Sequence, residues 1–295
     1  MNYLDFISNN ETRFKLKQAF IKEGFLNGNK LCEKAPKRLF RYSSLNEYVV
    51  NDLKRGELTL SNPTIFNDTY DSYLHRDSSD SLILLENELK ETLSYFGIDY
   101  TIPSKEKLIE KAKQEDDFLT HYLTETMAIG CVSETLDSIL MWSHYSDKNR
   151  GICIEYDFTN SAINPYLYPV VYTPKPFDCT KLSVPDYEDF DIDLATILSV
   201  VNKSDLWSYE KEWRIILYFG GKKFLRVPIL VPKPTAIYLG TAFIQAYQKS
   251  KRKDVYQSFY EYIDDNNIPL YKMYSKNLSY ELEYSPFSLK ELNKY

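Results

Sequence analysis

A series of short apolar runs, each about as long as a β-strand, constrains the fold of this chain most strongly. They include "RLFRYSS", "ELTLS", "AIGCVS", "GICIEYDF", "LYPVVYT", "EWRIILYF", "KFLRVPIL", "AIYLG" and "PLYKMY". Helical patterns separate some of these runs and not others, so strands and helices do not alternate strictly. The pattern therefore predicts an α+β fold with a mixed, mainly antiparallel sheet and flanking helices.

Helical patterns also indicate how the chain is organised. Residues 1–30 form a predicted N-terminal helical segment, and two further helices are predicted within residues 79–128, between two strands. The two helices within residues 79–128 are therefore interpreted as a helical insertion. Because the sequence shows no internal repeat and no low-complexity linker, we predict a single domain over residues 1–295.

Three more helices are predicted from periodicity and end signals. "SLNEYVVNDLKRG" has Ser44 as a plausible N-cap and Gly56 as a stop signal. Residues 189–203 form another predicted helix, and "FIQAYQKSKRKDVYQSFYEYI" is predicted to be one long helix.

Composition excludes several classes of protein. The chain has 36 Lys and Arg against 42 Asp and Glu, a formal charge of −6, so it is not built to coat nucleic acid. It has only 9 glycines, and neither GxGxxG nor GxxxxGK[ST] occurs. The absence of these motifs argues against Rossmann and P-loop cofactor binding.

The cysteines and the start of the chain predict a cytoplasmic protein without zinc or a membrane span. The four cysteines have no CxxC spacing, and "MNYLDFISNNETRF" has no signal-peptide pattern. No run approaches the ~20 apolar residues that cross a bilayer. Cys131 and Cys153 lie in strand patterns, and we expect both to pack in the core.

The stretch "SDLWSYEKEWRIILYF", residues 204–219, carries the densest group of polar residues that could take part in catalysis or binding. If the strand includes its first glutamate, Glu210, Glu212 and Arg214 share one face. Two carboxylates ~7 Å apart on one face repel, which drives their pKa values apart. Such a pair suits a site that needs one orienting carboxylate and one proton acceptor. The structural alternative is a salt-bridged strand start in which Glu212 pairs with Arg214.

Three other polar clusters fall at strand ends or in loops, where scaffolds present functional groups. They are Arg41-Tyr42, Ser61-Asn62 with Phe66-Asn67-Asp68, and Trp142-Ser143-His144-Tyr145. Each has a structural alternative: a paired arginine, an Asx turn at Asn67-Asp68, and an ordinary histidine at His144.

Three separated segments resemble a bacterial family catalogued as domain of unknown function 2971. They are "LFRYSSLNEYVVNDLKRGELTLSNPTIFNDTYDS", "ILMWSHYSDKNRGICIEYDF" and "LWSYEKEWRI", and the resemblance covers roughly residues 38–240. The family name implies no activity.

A second resemblance does imply one. A strand with arginine, a helix, a strand ending in serine and a late strand opening with Glu-x-Glu together look like an ADP-ribosyltransferase of the Arg-Ser-Glu class. By this resemblance Arg41 would bind NAD phosphate or ribose, and Ser61 would brace the nicotinamide riboside. Glu212 would be the catalytic glutamate, and Glu210 would engage the acceptor. The sequence departs from the class at "LSNP", where Ser-Thr-Ser is usual.

The resemblance implies an NAD-consuming transferase with an ADP-ribosyltransferase-like fold that acts on nucleic acid or protein. It also suggests a role as a toxin or phage-defence effector with an antitoxin or regulatory partner. NAD is the consumed substrate and no metal is expected. Phe66, Tyr70 and Trp142 are candidates for stacking on nicotinamide or adenine, and the remaining candidate NAD contacts are Tyr42, Asn67, His144 and Tyr145. Two alternatives stay open: a nucleotide- or partner-binding module without chemistry, and a metal-dependent nuclease using Asp68, Asp71, Glu210 and Glu212.

Overall fold

A computed structural model of the chain describes residues 35–68, 70–98, 104–183, 192–218 and 225–288. The strands there are β1 Leu39–Ser43, β2 Glu57–Ser61, β3 Met127–Ser133, β4 Ile152–Tyr156, β5 Leu167–Pro169, β6 Val171–Thr173, β7 Asn202–Ser204, β8 Glu212–Tyr218, β9 Arg226–Leu230, β10 Ala236–Leu239, β11 Leu270–Ser275 and β12 Leu282–Pro286. The helices are α1 Glu47–Arg55, α2 Ser78–Tyr95, α3 Lys105–Glu125, α4 Ile139–Tyr145, α5 Thr180–Ser183, α6 Ile192–Val201, α7 Phe243–Lys249 and α8 Lys253–Asn266. Short 3₁₀ segments cover Pro63–Ile65, Asn164–Tyr166 and Asp205–Glu210.

The predicted α+β class is confirmed. Within the described residues, ten strands form one sheet, which is mixed and mainly antiparallel because β10 and β11 are the only parallel pair in it there. Strands β6 and β7 form a separate parallel pair.

The sheet branches at β3. One edge of β3 pairs along its whole length with β8. On its other side β3 meets two strands at different positions: β2 at Ser61↔Ile129 and β1 at Phe40↔Ser133. Strands β1 and β2 therefore diverge, with the middle of β3 between their two contact points.

Alternation along the strands sends side chains into cores on both faces of the sheet. On one face, Leu39, Leu60 and Ile215 pack with α1, α7 and α8. The opposite face carries two smaller clusters, one around α6 and one around Trp142 of α4. The candidate site described below lies on this second face.

Helix α1 shows how local sequence sets the ends of an element. The predicted stop is confirmed, since Gly56 caps the helix with φ 67° and ψ 34°. The predicted N-cap was wrong: Asn46, not Ser44, accepts a hydrogen bond from the Val49 amide at 3.1 Å. The Ser44 hydroxyl instead accepts a hydrogen bond from the Asn46 amide group.

Several predicted boundaries are corrected. "LYPVVYT" forms two strands, because β5 pairs with β8 whereas β6 pairs with β7. The helix predicted over residues 189–203 ends at Val201, so Lys203 lies on β7. The predicted long helix is α7 and α8, which the extended residue Ser250 separates. The run "PLYKMY" forms β11, and a further strand that the apolar runs did not predict, β12, pairs with it at the edge of the sheet.

Helices α2 and α3 contact one another and lie between β2 and β3 in the chain, in the region where the sequence predicts two helices. The helical segment predicted over residues 1–30 lies outside the described residues. Among the helices described, none has the length and apolar character required to cross a membrane.

Candidate functional site

A cavity of about 180 Å³ lies on the second face of the sheet, at the point where β1, β3 and the start of β8 meet. Its apolar and aromatic wall is formed by Phe40, Tyr42, Phe66, Met141 and Tyr145. Its polar wall is formed by Arg41, Asn67, Asp71, Cys131, Ser133, Lys203, Glu210 and Glu212. Residues from five separate stretches of sequence therefore share one concave surface.

Lys203 lies at the centre of the polar wall. Its Nζ donates to Glu210 Oε2 at 2.6 Å and to Glu212 Oε2 at 3.2 Å, and lies 3.6 Å from Asp71 Oδ2. The side chain of Lys203 is only 5% exposed. The Trp207 ring lies 5.0 Å from the same ammonium group and adds a cation–π contact.

Arg214 binds two of the three carboxylates of the cluster, those of Asp71 and Glu212. It is fully buried and donates two parallel hydrogen bonds to Asp71, at 2.7 and 2.6 Å. Its Nε and Nη2 bond Glu212 at 2.9 and 3.1 Å, and Nη1 bonds the Val200 carbonyl at 2.6 Å. These contacts use all five guanidinium donors, so Arg214 holds Asp71 and Glu212 in fixed positions. The ion pair between Glu212 and Arg214, which is the structural alternative to a catalytic role for this stretch, is therefore present.

The two glutamates converge by a route different from the predicted one. Strand β8 begins at Glu212, and Glu210 ends the preceding 3₁₀ segment. Lys211 between them has a left-handed backbone, with φ 43°, so the alternation of a strand does not extend back to Glu210. The expected shared strand face was therefore wrong, although both carboxylates reach Lys203.

The environments of the two glutamates shift their pKa values in opposite directions. Burial raises the pKa of Glu210, and Glu212 adds to this effect. Burial alone would also raise the pKa of Glu212, but the charges of Arg214 and Lys203 outweigh it and lower this pKa to about 2. Glu212 is therefore a permanent carboxylate, whereas Glu210 holds a proton more readily.

Formal charges in the cluster do not balance. Asp71, Glu210 and Glu212 contribute −3, and Lys203 and Arg214 contribute +2, which leaves −1 when all are ionised. A buried excess charge is costly unless it is neutralised. A proton on Glu210, or a cation in the cavity, removes this excess.

Tyr145 completes the surroundings of Glu210. Its hydroxyl donates to Glu210 Oε1 at 2.6 Å, and the Asn67 side chain contacts the tyrosine oxygen. Burial raises the pKa of Tyr145, with the Glu210 hydrogen bond as the next cause, so the phenol keeps its proton. Ser133 Oγ donates to the Glu210 backbone carbonyl at 2.5 Å and fixes the end of the 3₁₀ segment.

Most of the residues singled out from the sequence meet at this cavity: Arg41, Tyr42, Phe66, Asn67, Tyr145, Glu210 and Glu212. The Tyr42 hydroxyl donates to the Thr135 carbonyl at 2.7 Å. One nitrogen of Arg41 donates to the Cys131 carbonyl at 2.7 Å, and Phe66 lies over the Arg214 guanidinium.

Three predicted residues lie elsewhere. Ser61 lines a different cavity on the opposite face of the sheet. Trp142 is fully buried, where its Nε1 donates to the Leu136 carbonyl and its ring packs edge-on against Tyr42. His144 is exposed, beside the rings of Tyr145 and Tyr209.

Sequence reasoning missed Lys203, which it assigned to the end of a helix, and it gave Asp71 a role only in the metal alternative. Cys131 packs against the core cluster around α6, as predicted, but it also lines the cavity beside Glu212, which the sequence did not indicate. Cys153 is buried in the core as predicted. A single "K" between a hydrophobic helix and an acidic segment was the available signal for Lys203, and it has no distinctive spacing.

The acidic residues do not form a metal-binding group in the parts of the chain that the structure describes. Asp71, Glu210 and Glu212 direct their oxygens at Lys203 and Arg214, so two protein cations occupy the positions between them. Asp68 instead accepts a hydrogen bond from the Tyr70 amide in a local turn.

Fold and cavity together define an α+β protein with a buried cluster of three carboxylates and two cations beside an aromatic pocket. A family model described as "Protein of unknown function (DUF2971)" matches residues 141–215, from within α4 into β8. Over these residues the chain is similar to that family, in agreement with the resemblance seen in its motifs. No curated protein and no solved structure matches the chain. The ADP-ribosyltransferase-like arrangement therefore stays a prediction.

Proposed function

We propose that this protein cleaves the bond between nicotinamide and ribose in NAD and transfers ADP-ribose to an acceptor. The observation that supports this proposal is the buried cluster of Asp71, Lys203, Glu210, Glu212 and Arg214, whose net charge of −1 lies at the wall of an aromatic cavity. The excess negative charge of the cluster favours the cationic nicotinamide ring of NAD beside Glu210 and Glu212, while Arg41 in the same wall balances that charge and favours the phosphates.

The dimensions of the cavity agree with a single aromatic ring. A volume of about 180 Å³ is close to the ~150 Å³ of a cavity that holds benzene. Phe66, Tyr42 and Tyr145 provide π-faces and edges, and a cationic ring gains from contact with such surfaces. Arg41 lines the same cavity and is available to the phosphates of the ligand.

In the proposed reaction the bonding electrons between C1′ and the ring nitrogen pass to the nitrogen, and neutral nicotinamide leaves. The ribose becomes cationic at C1′, as in glycoside hydrolysis. The negative cluster stabilises this cation. An acceptor hydroxyl, or water, then bonds to C1′ and loses its proton to Glu210. A raised pKa makes Glu210 a stronger base than an ordinary glutamate.

Glu212 has a different role in this proposal. Its oxygens are occupied by Arg214 and Lys203, and its low pKa keeps it ionised throughout. We therefore assign it the fixed negative charge that orients Lys203 and acts on the developing cation. Glu210 has the freer carboxylate, since only Tyr145 and Lys203 bond its oxygens.

The test is release of nicotinamide from NAD by the purified full-length chain, followed by chromatography. Glu210→Gln is expected to slow release by 10²-fold or more, the usual contribution of a general base. Glu212→Gln should slow it as well. Asp205→Asn is the matched control, because Asp205 is an exposed carboxylate on the same 3₁₀ segment, and it should leave the rate unchanged.

Three outcomes would contradict the proposal. Unchanged release in both glutamine variants would remove the cluster from the reaction. Binding of NAD without release would favour a binding module. Activity that disappears with a chelator and returns with a divalent ion would favour the metal-dependent nuclease.

A further inference from the structure

A second and larger cavity, of about 450 Å³, lies on the opposite face of the sheet between α1, β2 and β9. It lies outside the aromatic pocket, but both cavities are lined by Arg41. This shared residue relates the two cavities.

The branching of the sheet explains how one side chain reaches both faces. Strand β2 pairs with β3 at Ile129, and β1 pairs with β3 at Ser133. Residues 130–132 of β3 therefore have no paired residue from β1 or β2 along that edge. Arg41 fills this opening, and its Nη1 bonds the Cys131 carbonyl that would otherwise lack a partner on that edge. The guanidinium therefore occupies the gap between β1 and β2.

Charge in the larger cavity is positive. Arg41, Arg55 and Arg226 contribute +3, and Asp52 and Glu57 contribute −2, which leaves +1. Arg55 is held by both carboxylates, at 2.9 and 2.6 Å. Within the described residues, the side chain of Arg226 has no hydrogen-bond or ion-pair partner, and the Arg41 side chain uses one of its five donors.

Arg41 on β1 and Arg226 on β9 both line this cavity and have free side-chain donors, and arginine binds the oxygens of a phosphate or diphosphate through paired hydrogen bonds. Ser61 pairs with Arg226 in register and lines the same cavity, so its hydroxyl is a further donor. Tyr48 lines the cavity and is 72% exposed, which leaves a ring face for a base.

We propose that this larger cavity is a subsite for a nucleoside diphosphate, with Arg226 as a phosphate ligand beside Arg41. This inference rests on the proposed function, since the aromatic pocket holds one ring and a dinucleotide needs a second compartment. The Arg41 side chain lies between the two cavities. A dinucleotide with its nicotinamide in the smaller cavity and its diphosphate in the larger one therefore requires the Arg41 guanidinium to leave the opening and bind the diphosphate.

The experiment measures binding of ADP to the full-length chain by calorimetry. ADP lacks nicotinamide, so its binding reports on the larger cavity. Arg226→Gln is expected to weaken binding about tenfold or more, and pyrophosphate should compete with ADP. Arg252→Gln is the matched control, because Arg252 is also exposed but lies away from this cavity, and it should bind ADP as the unaltered chain does.

The outcomes separate the subsite from the proposed reaction. Equal affinity of the Arg226→Gln variant, or failure of pyrophosphate to compete, overturns the subsite. Nicotinamide release without any ADP binding also overturns it, while the proposed function stands. ADP binding that depends on Arg226 but without nicotinamide release supports the subsite and removes the reaction.

Discussion

Two glutamates separated by one residue have opposite electrostatic environments in this protein. Glu212 is held by Arg214 and Lys203, whereas Glu210 is buried with one shared cation and a neutral tyrosine hydroxyl. The native state therefore stabilises the ionised form of Glu212 and the protonated form of Glu210. Substitution by glutamine, which resembles a protonated glutamate, should separate the two effects.

We expect Glu212→Gln to lower the free energy of unfolding at pH 7 by about 3 kcal/mol, the value of a pKa that falls from 4.5 to about 2. That stabilisation is present above pH 4.5 and is lost as pH falls through about 2. Protonation of Glu210 stabilises the fold below pH 4.5, and this stabilisation is lost as pH rises through its raised pKa. Glutamine stays neutral at every pH, so Glu210→Gln should keep or raise the free energy of unfolding at pH 7.

Urea unfolding of the three proteins from pH 4 to 8 tests this pair. The Glu210→Gln variant and the unaltered chain should converge as pH falls, while the Glu212→Gln variant stays less stable through most of this range. Equal losses of stability in the two variants at pH 7 would contradict the assignment of opposite pKa shifts.

At the scale of elements, the turn after α4 shows how close packing constrains a loop. Asp147, Lys148 and Asn149 all have left-handed backbones, with φ of 50°, 55° and 66°. The Asn149 amide donates to the Trp142 carbonyl, and the Asn149 carbonyl accepts from Ala242 at 3.0 Å. These bonds join the end of α4 to the start of α7. Gly240 permits the approach, because a Cβ there would lie 2.1 Å from the Asn149 carbonyl oxygen.

Gly240→Ala should therefore destabilise the fold by more than about 2 kcal/mol, since backbone atoms on both sides have to move. Gly97→Ala is the control. Gly97 has φ 65° and no atom within 4 Å of an added Cβ, so the loss of stability should be limited to the ~1 kcal/mol that a left-handed backbone costs an alanine. Thermal unfolding followed by circular dichroism measures both, and a larger shift for Gly97→Ala would contradict the packing argument.

At the scale of the whole molecule, Asn62 joins the helical insertion to the sheet. Its Nδ2 lies 3.0, 2.9 and 3.0 Å from the carbonyls of Thr124, Glu125 and Met127, where α3 returns to β3. Its Oδ1 accepts from the amide and hydroxyl of Thr64. One buried side chain therefore closes the junction between the two parts of the fold.

Asn62→Ala should leave these carbonyls without their donor and speed hydrogen exchange at the end of α3 and the start of β3 by tenfold or more, with ~1–3 kcal/mol of lost stability. Exchange in α8 should change less. Asn46→Ala is the control, since it removes the cap of α1 and should act on that helix by ~1 kcal/mol. Uniform acceleration over all described elements in Asn62→Ala would contradict a local junction.

Local sequence determined much of the element content. Apolar runs with strand length became β1 to β4 and β8 to β11, and Gly56 ended α1 as its flexibility predicts. Boundaries failed where a single backbone conformation changed the pattern, as at Lys211 and Ser250, because such changes depend on contacts distant in sequence. "LYPVVYT" divided for the same reason, since its halves pair with different strands.

The sequence by itself determined which residue types were available for chemistry: two glutamates separated by one residue, an arginine on β1 and aromatic side chains in nearby loops. Only the tertiary structure decided their grouping. Lys203 enters the site because β7 pairs with β6 beside the 3₁₀ segment, and Ser61 leaves it because β2 separates from β1 along β3. Both facts are strand pairings between distant residues, and no local pattern encodes the register or the face that such pairings produce.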